Sequence, residues 1–195
     1  MNYRDIIKSY SSLPWKESIP EDLILTSMVN AKEFSESLRI TLELYPDEIS
    51  IHRVATEELK TTNLSFKEFI RHADHSEFLA YFCKKHALTP SSRNIEIALD
   101  QYIFTMQSMT PTERAMTIFS REQEAEGIFT EFLNAHDWRA IGYDFYDHFI
   151  RKHLAFDAGE SGHGELMKHL PRDEKVLKHF YGARLELYKV ITGVN

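Results

Sequence analysis

Cysteine is nearly absent from this chain of 195 residues, in which Cys83 stands alone. An intramolecular disulfide is therefore excluded, and the ordinary role of such a residue is that of a small buried hydrophobe in a reducing compartment. Basic blocks are also lacking, because 23 Lys and Arg residues are scattered among 30 acidic residues, with a formal net charge of −7. Nucleic-acid binding has little support, since contacts to a phosphate backbone require clustered positive charge.

Long apolar runs are missing as well. No stretch approaches the roughly 18 apolar residues that a membrane span needs, and no signal-peptide pattern is present. The sequence therefore predicts a soluble, cytoplasmic protein without a membrane or nucleic-acid partner. Glycine and proline are sparse, at seven and six residues, while 43% of the chain is hydrophobic. We expect one domain over residues 1–195, with an N-terminal extension at 1–21, because this length can bury one substantial core.

Helical periodicity runs through almost every segment, and nothing alternates at period two over the length of a strand. The pattern predicts an all-α, single-domain helical bundle. The segments Ser65–Glu68 and Thr110–Glu113 have the form of capping boxes, which satisfy the first amides of a helix. After a short N-terminal piece at residues 3–10, the predicted helices cover residues 23–44, 51–59, 66–86, 95–106, 111–136, 138–167 and 174–191.

Four side chains able to bind a metal ion occur at helical spacing late in the chain. His153, Asp157, Glu160 and His163 are separated by four, three and three positions, which places them on one helical face. The same face also carries apolar residues, namely Phe149, Phe156, Met167 and Leu170. Two carboxylates would then face the interior, where an uncompensated ionised carboxylate is very costly, and a bound metal ion would compensate them. A frayed, solvated helix end is the competing interpretation.

A glutamate on the predicted helix 51–59 is a further ligand candidate. Glu58 shares a face with Ile51 and Val54, whereas the adjacent Glu57 neighbours Arg53 on a side that points more toward water. Glu58 is therefore the choice that periodicity favours, with Glu57 left open as the alternative.

Glu122 is the candidate on the predicted helix 111–136. It follows Phe119 by three positions and precedes Phe129 by seven, on the inward stripe, and Glu126 falls on the same stripe one turn later. A solvated acidic face is the alternative for this helix. Carboxylates and histidines from several helices form the metal sites of di-iron and di-manganese bundles, and mixed oxygen and nitrogen ligation suits iron or manganese.

The order of these features resembles the heme-oxygenase-like helical superfamily. A Glu-Glu-Leu turn ends at Leu59, a capping-box helix start follows, then Ser120-Arg-Glu122, and finally His153-x3-Asp157-x2-Glu160. The chain is similar in particular to the non-heme di-iron oxidases and oxygenases, which have relatives among TenA-like and pyrroloquinoline-quinone-synthase-like proteins. The resemblance extends from Ile51 to Leu170 in the order of the elements.

This resemblance implies a heme-oxygenase-like topology and an iron-dependent oxidase or oxygenase that uses dioxygen on a small organic substrate. The implied metal ligands are Glu58 or Glu57, Glu122, His153 and Asp157, with Glu160 or His163 in the place of a further family histidine. The implied cofactor is one or two iron ions, with manganese as an alternative. Analogy with the superfamily also allows a homodimer.

Two other functions compete with this interpretation. The first is a metal-free helical module that binds a small molecule or a protein, in which Arg114, Arg121 or Arg151 neutralises the buried carboxylates. The second is a metal-free enzyme similar to the TenA-like proteins, for which Cys83 is the available nucleophile.

Overall fold

The computed structural model describes residues 2–59, 75–157 and 168–194, without the side chains at 57, 75, 122–124 and 156–157. Its helices are α1 (Tyr3–Ser9), α2 (Pro20–Leu44), α3 (Ile49–Glu58), α4 (His75–Lys85), α5 (Arg93–Ser108), α6 (Pro111–Ala135), α7 (Asp144–Asp157) and α8 (Glu174–Ile191). Short 3-10 turns at Tyr10–Ser12 and Trp15–Glu17 connect α1 to α2. No strand occurs in these described ranges, which confirms the all-α prediction.

Local signals in the sequence set the start of α6. The Thr110 hydroxyl accepts a hydrogen bond from the backbone amide of Glu113 at 3.3 Å, and the Glu113 carboxylate accepts one from the backbone amide of Thr110 at 2.8 Å. Pro111 occupies the first turn, where its missing amide proton costs nothing. The predicted capping box is thus observed. The other one, at Ser65–Glu68, lies outside the described residues.

The start of α7 differs from the prediction. A helix was expected from Trp138, whereas residues after Trp138 form hydrogen-bonded turns and the helix begins at Asp144. Gly142 adopts a φ of +88°, which a right-handed helix cannot contain. The Trp138 indole donates a hydrogen bond to the Phe132 carbonyl at 2.9 Å, so this side chain belongs to the core without belonging to a helix.

Helix α2 packs against α3, α4, α5 and α6, while α6 also contacts α7 and α8. Helix α8 in turn contacts α1 and α5. Two apolar clusters result, and α6 contributes to both: Ile118 and Phe119 belong to the smaller cluster, and Ile128 and Phe132 to the larger one. Arg121 therefore lies between the two sets along α6. None of the helices in the described part of the chain is long and apolar enough to cross a membrane.

Candidate functional site

A cavity of about 90 Å³ lies among α2, α3, α6, α7 and α8. Its apolar lining consists of Ala31, Phe34, Ala125, Ile128, Phe129, Phe132 and Phe149. Its polar lining consists of Tyr10, Ser27, Asn30, Glu58, Arg121, His153, Tyr181 and Arg184. A wall that combines apolar and aromatic side chains with convergent polar groups is typical of a small-molecule site.

Glu58 reaches this cavity from the last turn of α3. Its side chain is only 6% exposed, so the inward orientation that periodicity predicts is observed. A carboxylate in this position is a hard oxygen donor held away from bulk water, and such donors suit iron and manganese.

His153 reaches the same cavity from α7, and its ring orientation is fixed. Its Nδ1 lies 2.8 Å from the carbonyl oxygen of Phe149. Because a carbonyl oxygen only accepts, Nδ1 donates, and Nε2 is then the basic nitrogen of the neutral ring. The imidazole also packs against the rings of Phe129 and Phe149, at centroid distances of 4.8 and 4.3 Å. Metal-binding histidines characteristically donate their second ring nitrogen to a carbonyl or carboxylate in this manner.

The remaining predicted ligands are placed only in part. The backbone of Glu122 lies in α6 and that of Asp157 ends α7, but the side chains of both are outside the described residues. Glu160 and His163 lie wholly outside them. Within the described ranges, no group of three or more His, Cys, Asp and Glu side chains could hold a metal ion. Glu58 and His153 are thus the predicted ligands that the described structure brings to one cavity.

The prediction that Glu126 lies on the inward stripe of α6 is wrong, because its side chain is exposed. Helix α6 instead presents Arg121, Ala125, Ile128 and Phe132 to the cavity, at spacings of four, three and four. Since successive helical residues are rotated by about 100°, Glu126 is turned away from the direction of Ala125.

Arg121 is a cavity residue that sequence reasoning considered only as a counter-ion. It is 7% exposed, and its Nη2 donates to the phenolic oxygen of Tyr102 at 3.4 Å. Its guanidinium carbon lies 4.6 Å from the ring centroid of Phe180, and its buried Nε has no hydrogen-bond partner among the described residues. Burial lowers the pKa of Arg121, and the nearby charge of Arg184 lowers this pKa further.

Arg184 and Asn30 are further polar lining residues that the sequence did not indicate as candidates. Arg184, on α8, donates to the phenolic oxygen of Tyr188 from Nε at 3.0 Å and from Nη2 at 2.6 Å. Asn30, on α2, buries both amide atoms, and neither has a hydrogen-bond partner among the described residues. Unsatisfied buried donors and acceptors are costly, so a wall of this kind favours a ligand or ordered water that completes the hydrogen bonds.

The three arginines that were proposed to neutralise the candidate ligand carboxylates have different contacts in the described structure. Arg114 pairs with Glu33 and Glu36, each at 3.1 Å, and Arg151 pairs with Asp147 at 2.9 Å. Arg121 pairs with no carboxylate of the described residues. None of the three therefore forms an ion pair with Glu58 in the described structure.

Cys83, the candidate nucleophile of a metal-free enzyme, does not line the cavity. It is 5% exposed, and burial raises the pKa of its thiol to about 11. Because the thiolate is the nucleophilic form, burial and a raised pKa favour the role of a small hydrophobe over that of a nucleophile.

No protein-family model, curated protein or solved structure matches this chain. The resemblance to the heme-oxygenase-like superfamily consequently remains a prediction from the sequence. The described structure defines a class at a coarser level, an all-helical protein with a small internal cavity that contains both acidic and basic side chains.

Proposed function

We propose that this protein is an iron-dependent oxidase or oxygenase of heme-oxygenase-like topology, which uses dioxygen on a small organic substrate. One observation carries the proposal. Glu58 and His153, chosen as ligands from separate parts of the sequence, line the same cavity on α3 and α7. The Nδ1 contact of His153 supports the same conclusion, because it directs the ring in the manner of a metal ligand.

The proposed ligand set combines Glu58 and His153 with Glu122, Asp157 and either Glu160 or His163. These side chains would hold one or two iron ions, with manganese as the alternative metal. Iron bound by such ligands can activate dioxygen for oxidation of an organic substrate.

The protein's own residues would orient the reactants and exclude water. Glu58 supplies negative charge, and His153 supplies a neutral nitrogen that the Phe149 carbonyl keeps in one orientation. The rings of Phe129 and Phe149 pack against this imidazole and would limit the access of bulk water to it. The apolar lining beyond them would accept the substrate's hydrocarbon portion.

A metal-free binding module is the second candidate function. The observation that favours it is the set of buried polar groups without partners, since Asn30 and Arg121 could hold a ligand with no metal present. Iron uptake by the purified protein separates the two functions directly.

Anaerobic titration with ferrous iron tests the proposal in wild-type protein and in the variants Glu58→Gln, His153→Ala and Asp157→Ala. We expect wild type to bind iron, and each variant to bind it about tenfold to a hundredfold more weakly or not at all, as is typical for loss of a metal ligand or its support. His148→Ala is the matched control, because His148 lies on α7 but not on the cavity wall. Iron should also raise the melting temperature of wild type, since it binds only the folded state.

Two results would overturn this function. One is wild-type protein that takes up no iron and gains no thermal stability from it. The other is uptake of equal affinity in wild type and in the His153→Ala and Asp157→Ala double variant, which would place the iron elsewhere.

A further inference from the structure

The cavity wall carries positive charge that the described protein leaves without a carboxylate partner. Arg121 is only 7% exposed. Its partners are the phenol of Tyr102, the ring of Phe180 and the sulfur atom of Met106, the last at 4.0 Å. Removing a guanidinium group from water is costly unless an anion or a full set of hydrogen bonds replaces the water. The partners of Arg121 are neutral and leave its Nε without a hydrogen bond.

Arg184 adds a second cation to the same wall. Its guanidinium carbon lies 5.5 Å from the ring centroid of Phe180. The guanidinium carbon of Arg121 lies 4.6 Å from the same centroid. The hydrogen bonds of Arg184 within the described residues go to the neutral phenol of Tyr188. Two guanidinium groups against one ring repel each other, so their proximity favours an anion that both can contact.

The acidic residues near these arginines do not neutralise them. Glu33 lies within electrostatic range of Arg121 but forms its ion pair with Arg114, at 3.1 Å. Glu58 is the carboxylate of the lining, and the described hydrogen bonds of Arg121 and Arg184 to oxygen go to the phenols of Tyr102 and Tyr188. The charge of the two arginines is therefore directed toward whatever occupies the cavity.

The rest of the lining limits what such an anion can be. Phenyl rings and aliphatic side chains form about half of the wall, and they offer no hydrogen bonds to a fully hydrated ion such as inorganic phosphate. Asn30 adds an amide whose donor and acceptor are both unused by the described protein. An organic acid with an apolar body matches both kinds of surface.

The geometry points to an anion-binding region formed by Arg121 and Arg184, which takes the carboxylate of a small organic acid while the phenylalanine-rich wall takes its apolar body. The identification of this organic acid as the substrate rests on the proposed function. The binding itself requires no iron.

Isothermal titration of the chelator-treated full chain tests the inference with five probes: 3-phenylpropionate, 3-phenylpropanamide, hexanoate, hexanamide and inorganic phosphate. Each amide has the shape of its acid without the charge, so the comparison needs no variant. We expect the acids to bind wild type about tenfold or more tightly than their amides, because hydrogen bonds to charged groups are the stronger ones. A preference for the aromatic or the aliphatic acid would show which kind of apolar group the cavity wall accepts.

Variants assign the effect to the arginines. Arg121→Gln and Arg184→Gln should each weaken binding of the acids about tenfold or more and leave the amides unchanged, while Arg121→Lys should restore part of the lost affinity. Arg139→Gln is the matched control, since it removes one positive charge at an exposed position outside the cavity wall. Circular dichroism of each variant verifies that it is folded.

Three results would overturn the inference. The first is that neither acid binds wild type at millimolar concentration, and the second is that the amides bind as tightly as the acids. The third is that inorganic phosphate binds as tightly as the organic acids, which would indicate a simple anion site.

The two titrations, with organic acids and with ferrous iron, separate this inference from the proposed function. Acid binding without iron uptake would support the anion-binding region and remove the oxidase proposal. Iron uptake without a preference for acids would retain the oxidase proposal and remove the anion-binding region.

Discussion

Two buried arginines on one helix have opposite surroundings. Arg114 and Arg121 are seven residues apart on α6 and are 5% and 7% exposed. Arg114 donates to Glu33 and Glu36 at 3.1 Å and to the Ser37 hydroxyl at 3.0 Å. Arg121 donates to a phenol at 3.4 Å and leaves its Nε without a partner in the described structure. The first region pairs its buried cation with carboxylates, whereas the second leaves its buried cation without a carboxylate partner among the described residues.

Helix α2 accounts for the difference. Next to Arg114 it supplies the two acidic residues, Glu33 and Glu36, and one turn earlier in the sequence it supplies Asn30 to the cavity that Arg121 lines. A carboxylate at position 30 would have added a negative charge to the cavity wall that Arg121 also lines. The described wall instead carries an amide whose donor and acceptor are both unused.

The largest expected effect comes from disrupting the region around Arg114. Arg114→Met should lower the free energy of unfolding by about 3–5 kcal/mol, because it leaves Glu33 buried without its counter-ion. Urea denaturation measures the change. The double variant Glu33→Met with Arg114→Met should recover most of the loss, since it removes both charges together. An Arg114→Met variant as stable as wild type would show that this ion pair is not structural.

A smaller effect is expected at Asp147, where a buried carboxylate meets two exposed arginines. Burial raises the pKa of Asp147, but hydrogen bonds from Arg151 and Arg139 outweigh it and hold this pKa below the ordinary value of 3.8. The resulting stabilisation is complete above about pH 3.8 and decreases as the pH falls through the folded-state pKa. Asp147→Asn should therefore lose about 1–2 kcal/mol at neutral pH.

Unfolding free energies of wild type and Asp147→Asn, measured between pH 7 and pH 2, test whether the stabilisation by Asp147 decreases as the pH falls. The difference between the two proteins should shrink at the acid end, since protonated Asp147 no longer attracts the arginines. A difference that stays constant over the whole range would assign the effect to packing.

The smallest effect is expected in the region around Arg121. Arg121→Met should change the free energy of unfolding by no more than about 1 kcal/mol, or increase it, because relief of guanidinium desolvation offsets the lost cation–π contacts. Urea denaturation beside Arg114→Met makes the comparison direct. Equal losses in the two variants would mean that Arg121 is structural, and the contrast between the regions would disappear.

Much of the fold could be predicted from the sequence because its signals are local. The period of 3.6 residues indicated the helices, and the capping box at Thr110–Glu113 indicated where α6 begins. The start of α7 could not be predicted in this way. Trp138 is apolar and in phase with a helix, but its indole bonds to the Phe132 carbonyl and Gly142 reverses the backbone.

The site was predictable to a smaller extent. Periodicity indicated the buried side of α3 that carries Glu58. It also indicates that Arg184 faces inward, because Arg184 lies four residues after the buried Phe180 and four before the buried Tyr188. Periodicity does not show what a neighbouring helix places opposite a residue. The different surroundings of Arg114 and Arg121 therefore depend on tertiary packing that a single helix pattern does not encode.

Anomalous scattering at the iron edge, from a crystal grown with ferrous iron under anaerobic conditions, tests the proposed metal site most directly. We predict a peak in the cavity, next to both the Glu58 carboxylate and Nε2 of His153. A crystal of iron-loaded protein with its peak away from both side chains, or with no peak at all, would contradict it.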